Sequence, residues 1–166
     1  NELVQESIFM QQVAHPEGTY NSRLSETGIS LKCDRRQVAQ ALTNLLQNAA
    51  DALTEAHQPD GEIEVSVLEE DGDAVIEITD NGPGFPEEDQ HRLTEPYVTH
   101  RDKGTGLGLA IVKKVMEDHG GQLVLARRTG GGASARLIFV PGASLGDGDP
   151  DIDVGKEKKE KVANHG

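Results

Sequence analysis

Twice between Glu62 and Asp80 the chain alternates apolar and polar residues, over Glu62–Leu68 and again over Ala74–Asp80, with Glu70-Asp71-Gly72-Asp73 between the two runs. A period of two sends successive side chains to opposite faces of a strand, so the pair predicts a β-hairpin with one face to bury. A hairpin alone is not stable in water and must lay that face on something. The partners are segments of helical period on either side. Asp34 is a good N-cap for a helix running to about His57, and a second helix is expected from about Gly108 to His119, stopped by Gly120-Gly121.

The remaining elements are shorter. Leu3, Val4, Ile8 and Val13 give residues 1 to 13 a loose helical pattern, which His15-Pro16-Glu17-Gly18 ends. Extended segments are expected around Tyr20–Leu24 and Ile29–Cys33. Two closing strands, Gln122–Arg128 and Ala133–Val140, are joined by Gly130-Gly131-Gly132. Residues 81 to 105 are rich in Gly, Pro and charge, with a short helix at Glu87–Leu93; their composition suits a mobile lid. This order predicts an α+β domain, a two-layer α/β sandwich whose mixed, mostly antiparallel sheet is covered on one face by helices. Residues 1–142 form that domain. Residues 143–166 are few in apolar side chains and many in charges, and read as a disordered tail.

Composition narrows the function. With 35% hydrophobic residues, no Trp, two Tyr and three Phe, the core must be aliphatic. Sixteen basic against twenty-nine acidic residues give a net charge of −13, which argues against nucleic-acid binding but leaves room for a compact anion held by backbone N–H groups. The single cysteine, Cys33, allows no intramolecular disulfide, fits a reducing compartment and is expected to be packed inside. No apolar run approaches the roughly 20 residues that span a bilayer. The opening NELVQESIF is not a secretory signal, and the absence of an initial Met suggests a piece of a longer protein.

Three clusters carry chemistry. In the helix stretch NLLQNAADAL, Asn44, Asn48 and Asp51 lie i, i+4, i+7 on the face opposite Val38, Leu42, Leu45, Leu46, Ala49 and Leu53. A solvated face prefers Glu, Lys, Arg or Gln. Short polar side chains in a helix interior each cost about half a kcal/mol against Ala, and their amide oxygens suit a hard cation. In Asp80-Asn81-Gly82-Pro83-Gly84, Asp80 shares a strand face with Ile76 and Ile78, so a buried carboxylate there requires donors such as a ligand's exocyclic amine. A tight turn alone would also explain these residue types. In Gly104-Thr105-Gly106-Leu107-Gly108-Leu109, a glycine-rich turn enters a helix with Arg101 and Lys103 just upstream, an anion-binding arrangement that matches neither the P-loop nor the dinucleotide fingerprint. Together they describe a pocket for a nucleotide with Mg²⁺.

In these boxes the chain closely resembles the ATP-binding catalytic domain of bacterial sensor histidine kinases, in the wider class shared by gyrase, the ninety-kilodalton heat-shock chaperone and MutL. NLLQNAADAL resembles its N box, DNGPGF its G1 box, and LTEPYVTHRDKGTGLGLAIV its F and G2 boxes. EPYVT and GTGLGLAIVKK are most similar to NtrY-type nitrogen-regulation sensors. The resemblance covers about residues 1 to 141 and implies a Bergerat-type ATP-binding fold with ATP and Mg²⁺ as cofactors. By position it implies that Asn48 coordinates Mg²⁺, Asn44 sits beside the phosphates or their water shell, and Asp51 supports the site. Asp80 would accept from the adenine amino group, while Gly82 and Gly84 let the backbone approach the base. Gly104, Gly106 and Gly108 would cradle the phosphates with Thr105, Leu107 and Leu109. Arg101 or Lys103 would neutralise the γ-phosphate, and Tyr97 stands at an F-box aromatic position. Leu93 replaces the leading F-box aromatic, and Ala133-Ser134 follow the glycine turn where the family often has Thr.

None of the histidines at 15, 57, 91, 100, 119 and 165 lies in the family's phosphoacceptor context, and all are expected at surface or loop positions. The resemblance therefore implies the catalytic half of a two-component phosphorelay kinase. Its partners would be a histidine-bearing dimerisation domain outside this chain and a response regulator receiver domain. It would be a cytoplasmic domain of a membrane-anchored protein. Gyrase-like relatives carry Glu at the Asn44 position to activate water. An amide cannot act as a general base, which weighs against the alternative of a hydrolysing ATPase. A nucleotide-sensing module without catalysis is the other alternative.

Overall fold

The computed structural model describes residues 1–87, 90–96 and 106–142. Its elements are helix α1 (Glu2–Ala14), strand β1 (Thr19–Arg23), helix α2 (Arg35–Glu55), strands β2 (Glu62–Glu70) and β3 (Asp73–Asp80), helix α3 (Gly108–Asp118), and strands β4 (Gln122–Arg127) and β5 (Ala133–Phe139). A single 3₁₀ turn, Gln90–Arg92, falls where a short helix was expected. The strands form one sheet in the order β1-β2-β3-β5-β4. β1 runs parallel to β2; every other pairing is antiparallel. The mixed, mostly antiparallel sheet and its helical cover are as expected.

α2 is the axis of the core. The Asp34 carboxylate accepts from the N–H groups of Arg36 (2.9 Å) and Gln37 (3.0 Å), satisfying two donors that the first turn leaves over. Val38, Leu42, Leu45, Leu46, Ala49 and Leu53 are all buried, on the single stripe their spacing defines. They meet Ile63, Val65 and Val67 of β2, Ile78 of β3, and Leu137 and Phe139 of β5. The opposite face of the sheet is mixed, with Val75 buried on it, and carries polar pairs: Ser134 donates to Glu77 (2.8 Å), Arg23 meets Glu64 (3.1 Å), and Arg136 meets Glu70.

Three expectations change. Residues 29–33 form no strand; Ile29, Leu31 and Cys33 are half-buried as irregular chain against the core. That stretch must lead from the edge strand β1 to the start of α2, so its alternate apolar residues find burial without a ladder. In α1, Val13 is 65% exposed, whereas Gln11 is buried beside Gln47. His119 is neither a surface nor a loop residue in character. It is buried at the end of α3, where Nε2 accepts from the Asp34 N–H (2.9 Å) and Nδ1 lies 2.7 Å from the Val115 carbonyl. Because the Asp34 amide must donate, the ring proton sits on Nδ1, and the imidazole braces the end of α3 against the start of α2. The expected tail, 143–166, lies outside the described residues.

Candidate functional site

A hollow opens between the solvent-side shoulder of α2, the end of β3 and the start of α3. Asn48 of α2, Asp80 at the end of β3, Gly84 in the following loop and Leu109 in the first turn of α3 all line it. The alternation that buried Ile78 carries Asp80 to the same side, where it is only 6% exposed. Its carboxylate is held within the chain: Oδ1 accepts from the Gly82 N–H (2.9 Å) and, at longer range, from the Ala133 N–H (3.4 Å). Ala49, Ala52, Ala133 and Ala135 complete the apolar wall around it.

The loop after β3 is stitched at both sides. The Asn81 side-chain oxygen accepts from the Glu62 N–H and its amide donates to the Asp60 carbonyl, both at 2.8 Å. The close approaches that the two glycines permit are, here, to the chain itself. A Cβ on Gly82 would meet Asp80 Oδ1 at 3.0 Å; one on Gly84, whose φ is +80°, would meet the Gly132 carbonyl oxygen at 2.8 Å.

At the other end, α3 begins at Gly108 after Gly106 with φ +72° and Leu107 in the N-cap position, and no side chain among the described residues caps it. Its first turn lies against α2 at Asn48. A Cβ on Gly108 would lie 3.8 Å from both amide atoms of Asn48, so the amide sits directly beside an anion-binding helix start. One turn earlier, Asn44 Nδ2 is shielded from solvent and has no acceptor among the described residues. One turn later, Asp51 Oδ1 accepts from Gln47 Nε2 (2.8 Å). Gln47 Oε1 faces His15 Nε2 (3.1 Å) and Gln11 Nε2 (3.4 Å), tying Asp51 to α1. Arg101, Lys103, Gly104 and Thr105, and with them Tyr97, lie outside the described residues. Leu93 is buried.

The profile of the family described as histidine kinase-, DNA gyrase B- and HSP90-like ATPases matches residues 33–143. The chain belongs to this family of ATP-binding domains. Among similar proteins is the nitrogen regulation protein NtrY of Azorhizobium caulinodans, 50% identical over 129 residues, which are 75% of this chain and 16% of that protein. Another is a putative sensor histidine kinase of NtrY-like type from Rickettsia bellii, 45% identical over 64% of this chain and 17% of its own length. The chain thus spans about a sixth of the relatives it matches. Similar solved structures include a mycobacterial sensor histidine kinase, MprB (TM-score 0.74, 26% identity, 83% of this chain and 93% of that one). The catalytic domain of histidine kinase ThkA, in a nucleotide-free form, also matches (TM-score 0.71, 28% identity, 84% and 91%). No described helix is long and apolar enough to cross a membrane.

Reading the sequence missed residues that act through the backbone. Asn81 resembled an ordinary turn former, and Gly132 one of three glycines in a hairpin turn. Arg127 and Arg128, which reach the loop after β3, carried no signal beyond their charge. Of the four alanines of the wall, Ala52 and Ala135 lay unnoticed.

Proposed function

We propose that this chain is the ATP-binding catalytic module of a sensor histidine kinase of nitrogen-regulation type. It binds Mg²⁺·ATP and presents the γ-phosphate to a histidine on a separate helical dimerisation domain, from which a response regulator receiver domain is then phosphorylated. The observation that carries this reading is convergence: a buried carboxylate, a helix-borne amide and the first turn of α3 line one hollow.

Asp80 accepts from the exocyclic amine of adenine, and Gly82 and Gly84 border the base. Asn48 holds Mg²⁺ through its side-chain oxygen, while Asn44 donates to a phosphate oxygen or its water shell. The shielded amide of Asn44, without an acceptor among the described residues, supports such a role. The ion, when bound, neutralises phosphate charge. The N–H groups at Gly106, Leu107, Gly108 and Leu109 receive the phosphates along the helix dipole, with Gly104 and Thr105 preceding them. Arg101 or Lys103 adds positive charge at the γ-phosphate. Asp51 braces the helix face through Gln47. The protein's contribution is positioning and charge neutralisation for in-line attack by an imidazole nitrogen. With an amide at Asn44, the face has no carboxylate at the position where hydrolysing relatives activate water.

Residues 1–142 act as the catalytic domain, and the module works on the cytoplasmic side of a membrane-anchored protein. The test is phosphate transfer from labelled ATP to a separately supplied dimerisation domain. Transfer supports the kinase reading; release of free phosphate without transfer supports a hydrolysing ATPase instead. Nucleotide binding with neither outcome leaves a sensing module.

A further inference from the structure

The turn joining β4 to β5 closes on the base end of the hollow, backbone against backbone. Gly132 has φ +99°, and a Cβ there would lie 1.9 Å from the Asp80 carbonyl oxygen and 3.1 Å from Asn81 Cα. No L side chain fits that gap, and the backbone conformation also disfavours one. Two guanidinium groups cross the same seam. Arg128 donates to the Asp80 carbonyl (3.0 Å) and Arg127 to the Phe85 carbonyl (2.7 Å). The turn is itself closed by Arg128 N–H to Gly132 carbonyl (2.9 Å) and Gly131 N–H to Arg128 carbonyl (3.2 Å). Just past it, the Ala133 N–H approaches Asp80 Oδ1. The main chain of Asp80 is therefore held by the β4–β5 turn, and the first residue of β5, which that turn places, approaches one oxygen of its carboxylate.

We propose that this turn positions the base-recognition acid, with Gly132 and Arg128 as specificity-setting residues that touch no nucleotide themselves. The proposal rests on the reading of Asp80 as acceptor for an exocyclic amine. A carboxylate at that point tells adenine, which offers a donor, from guanine, which offers a carbonyl, and the distinction depends steeply on distance and angle. Loosening the turn lets the carboxylate shift or hydrate, so the wrong base is rejected less well. Phosphate binding at the far end is untouched.

The experiment is competition of ATP and of GTP against a fluorescent ADP analogue in magnesium buffer, for the parent chain, Arg128→Ala, Arg128→Lys and Gly132→Ala, with a melting curve for each. Arg128 is exposed, so its variants are expected to fold like the parent. The ATP-over-GTP preference is expected to fall roughly three- to tenfold in Arg128→Ala, the range of one lost hydrogen bond. It recovers in part in Arg128→Lys, and falls further in Gly132→Ala. An equal loss of affinity for both nucleotides in Arg128→Ala, with their ratio constant, means that the arginine acts only through its charge and overturns the proposal. So does a parent-like ratio in Arg128→Ala. A parent chain that does not prefer ATP removes the reading of Asp80, and the positioning role with it. A parent that prefers ATP alongside variants that do so equally leaves Asp80 in place and removes the turn's role alone.

Discussion

At the end of the hollow proposed for the base, Asp80 is fixed by the Gly82 amide, its carbonyl is held by Arg128, and the loop it starts is stitched to β2 by Asn81. At the end proposed for the phosphates, the shielded amide of Asn44 has no acceptor among the described residues, and no described side chain caps α3. The first end spends its polar groups on itself and so presents a rigid, pre-oriented acceptor. The second keeps donors for an anion, at a cost in ligand-free stability, since a shielded donor without a partner costs about 1–3 kcal/mol. Base recognition is thus expected to be pre-organised, and phosphate binding to be the step that stabilises the domain.

The widest separation between the two ends comes from Asn48→Ala. Loss of a residue that merely orients a metal ligand costs 10–100-fold, so removing the ligand itself is expected to weaken magnesium-dependent ATP binding by about 100-fold or more, with melting of the ligand-free chain little changed. Titrating ATP with and without Mg²⁺ checks it; unchanged magnesium dependence breaks the assignment. Next is Asp80→Asn. It replaces a charged acceptor with an amide, and the ATP-over-GTP preference is expected to drop by about 10- to 100-fold, the worth of a hydrogen bond to a charge. If that substitution instead removes magnesium dependence and spares the base preference, the two ends have been assigned the wrong way round. Smaller again is Asn81→Ala, which deletes two 2.8 Å hydrogen bonds to the backbone. It should lower unfolding stability by about 1–3 kcal/mol and soften base preference, while leaving the magnesium arm alone. Chemical denaturation and the same nucleotide titrations read both.

The phosphate end was more legible in the sequence than the base end, for a physical reason. Helical periodicity places Asn44, Asn48 and Asp51 off the buried stripe without any knowledge of tertiary contacts, and all three are half-buried beside it, Asn48 at the rim of the hollow. Asp80 was equally accessible, because a strand's period of two fixes its side once Ile78 is known to be buried. What holds Asp80 was not. Gly132 and Arg128 are about fifty residues away in sequence, and β5 reaches β3 only because the sheet inserts β5 between β3 and β4. Local chemistry says nothing of that crossing. The failed strand at 29–33 has the same origin: alternation reports burial on one side, and only the sheet's edge decides whether a ladder exists to join. His119 was misjudged because a histidine after a helix resembles a solvated cap, whereas its two ring nitrogens are used by Asp34 and Val115 from different elements.

The smallest effect is also the sharpest, because its sign reverses between two states. In the ligand-free chain, Asn44 contributes a shielded N–H with no acceptor among the described residues, on a helix interior where Ala is preferred by about half a kcal/mol. Asn44→Ala is therefore expected to raise the stability of the ligand-free domain slightly, by about 0.5–1.5 kcal/mol once the partial exposure of the residue discounts the orphan's cost. With nucleotide bound, the same amide gains a phosphate oxygen or its water as acceptor, and the substitution should weaken binding several-fold. Thermal melts with and without ADP and Mg²⁺ measure both. Ligand at 100 times its dissociation constant adds about 2.7 kcal/mol to the parent, and the increment should shrink in the variant even as its baseline rises. A variant that melts lower without ligand and gains the full increment with it would mean that Asn44 belongs to the fold rather than to the phosphates, and the division between a self-satisfied base end and a donor-rich phosphate end would not stand.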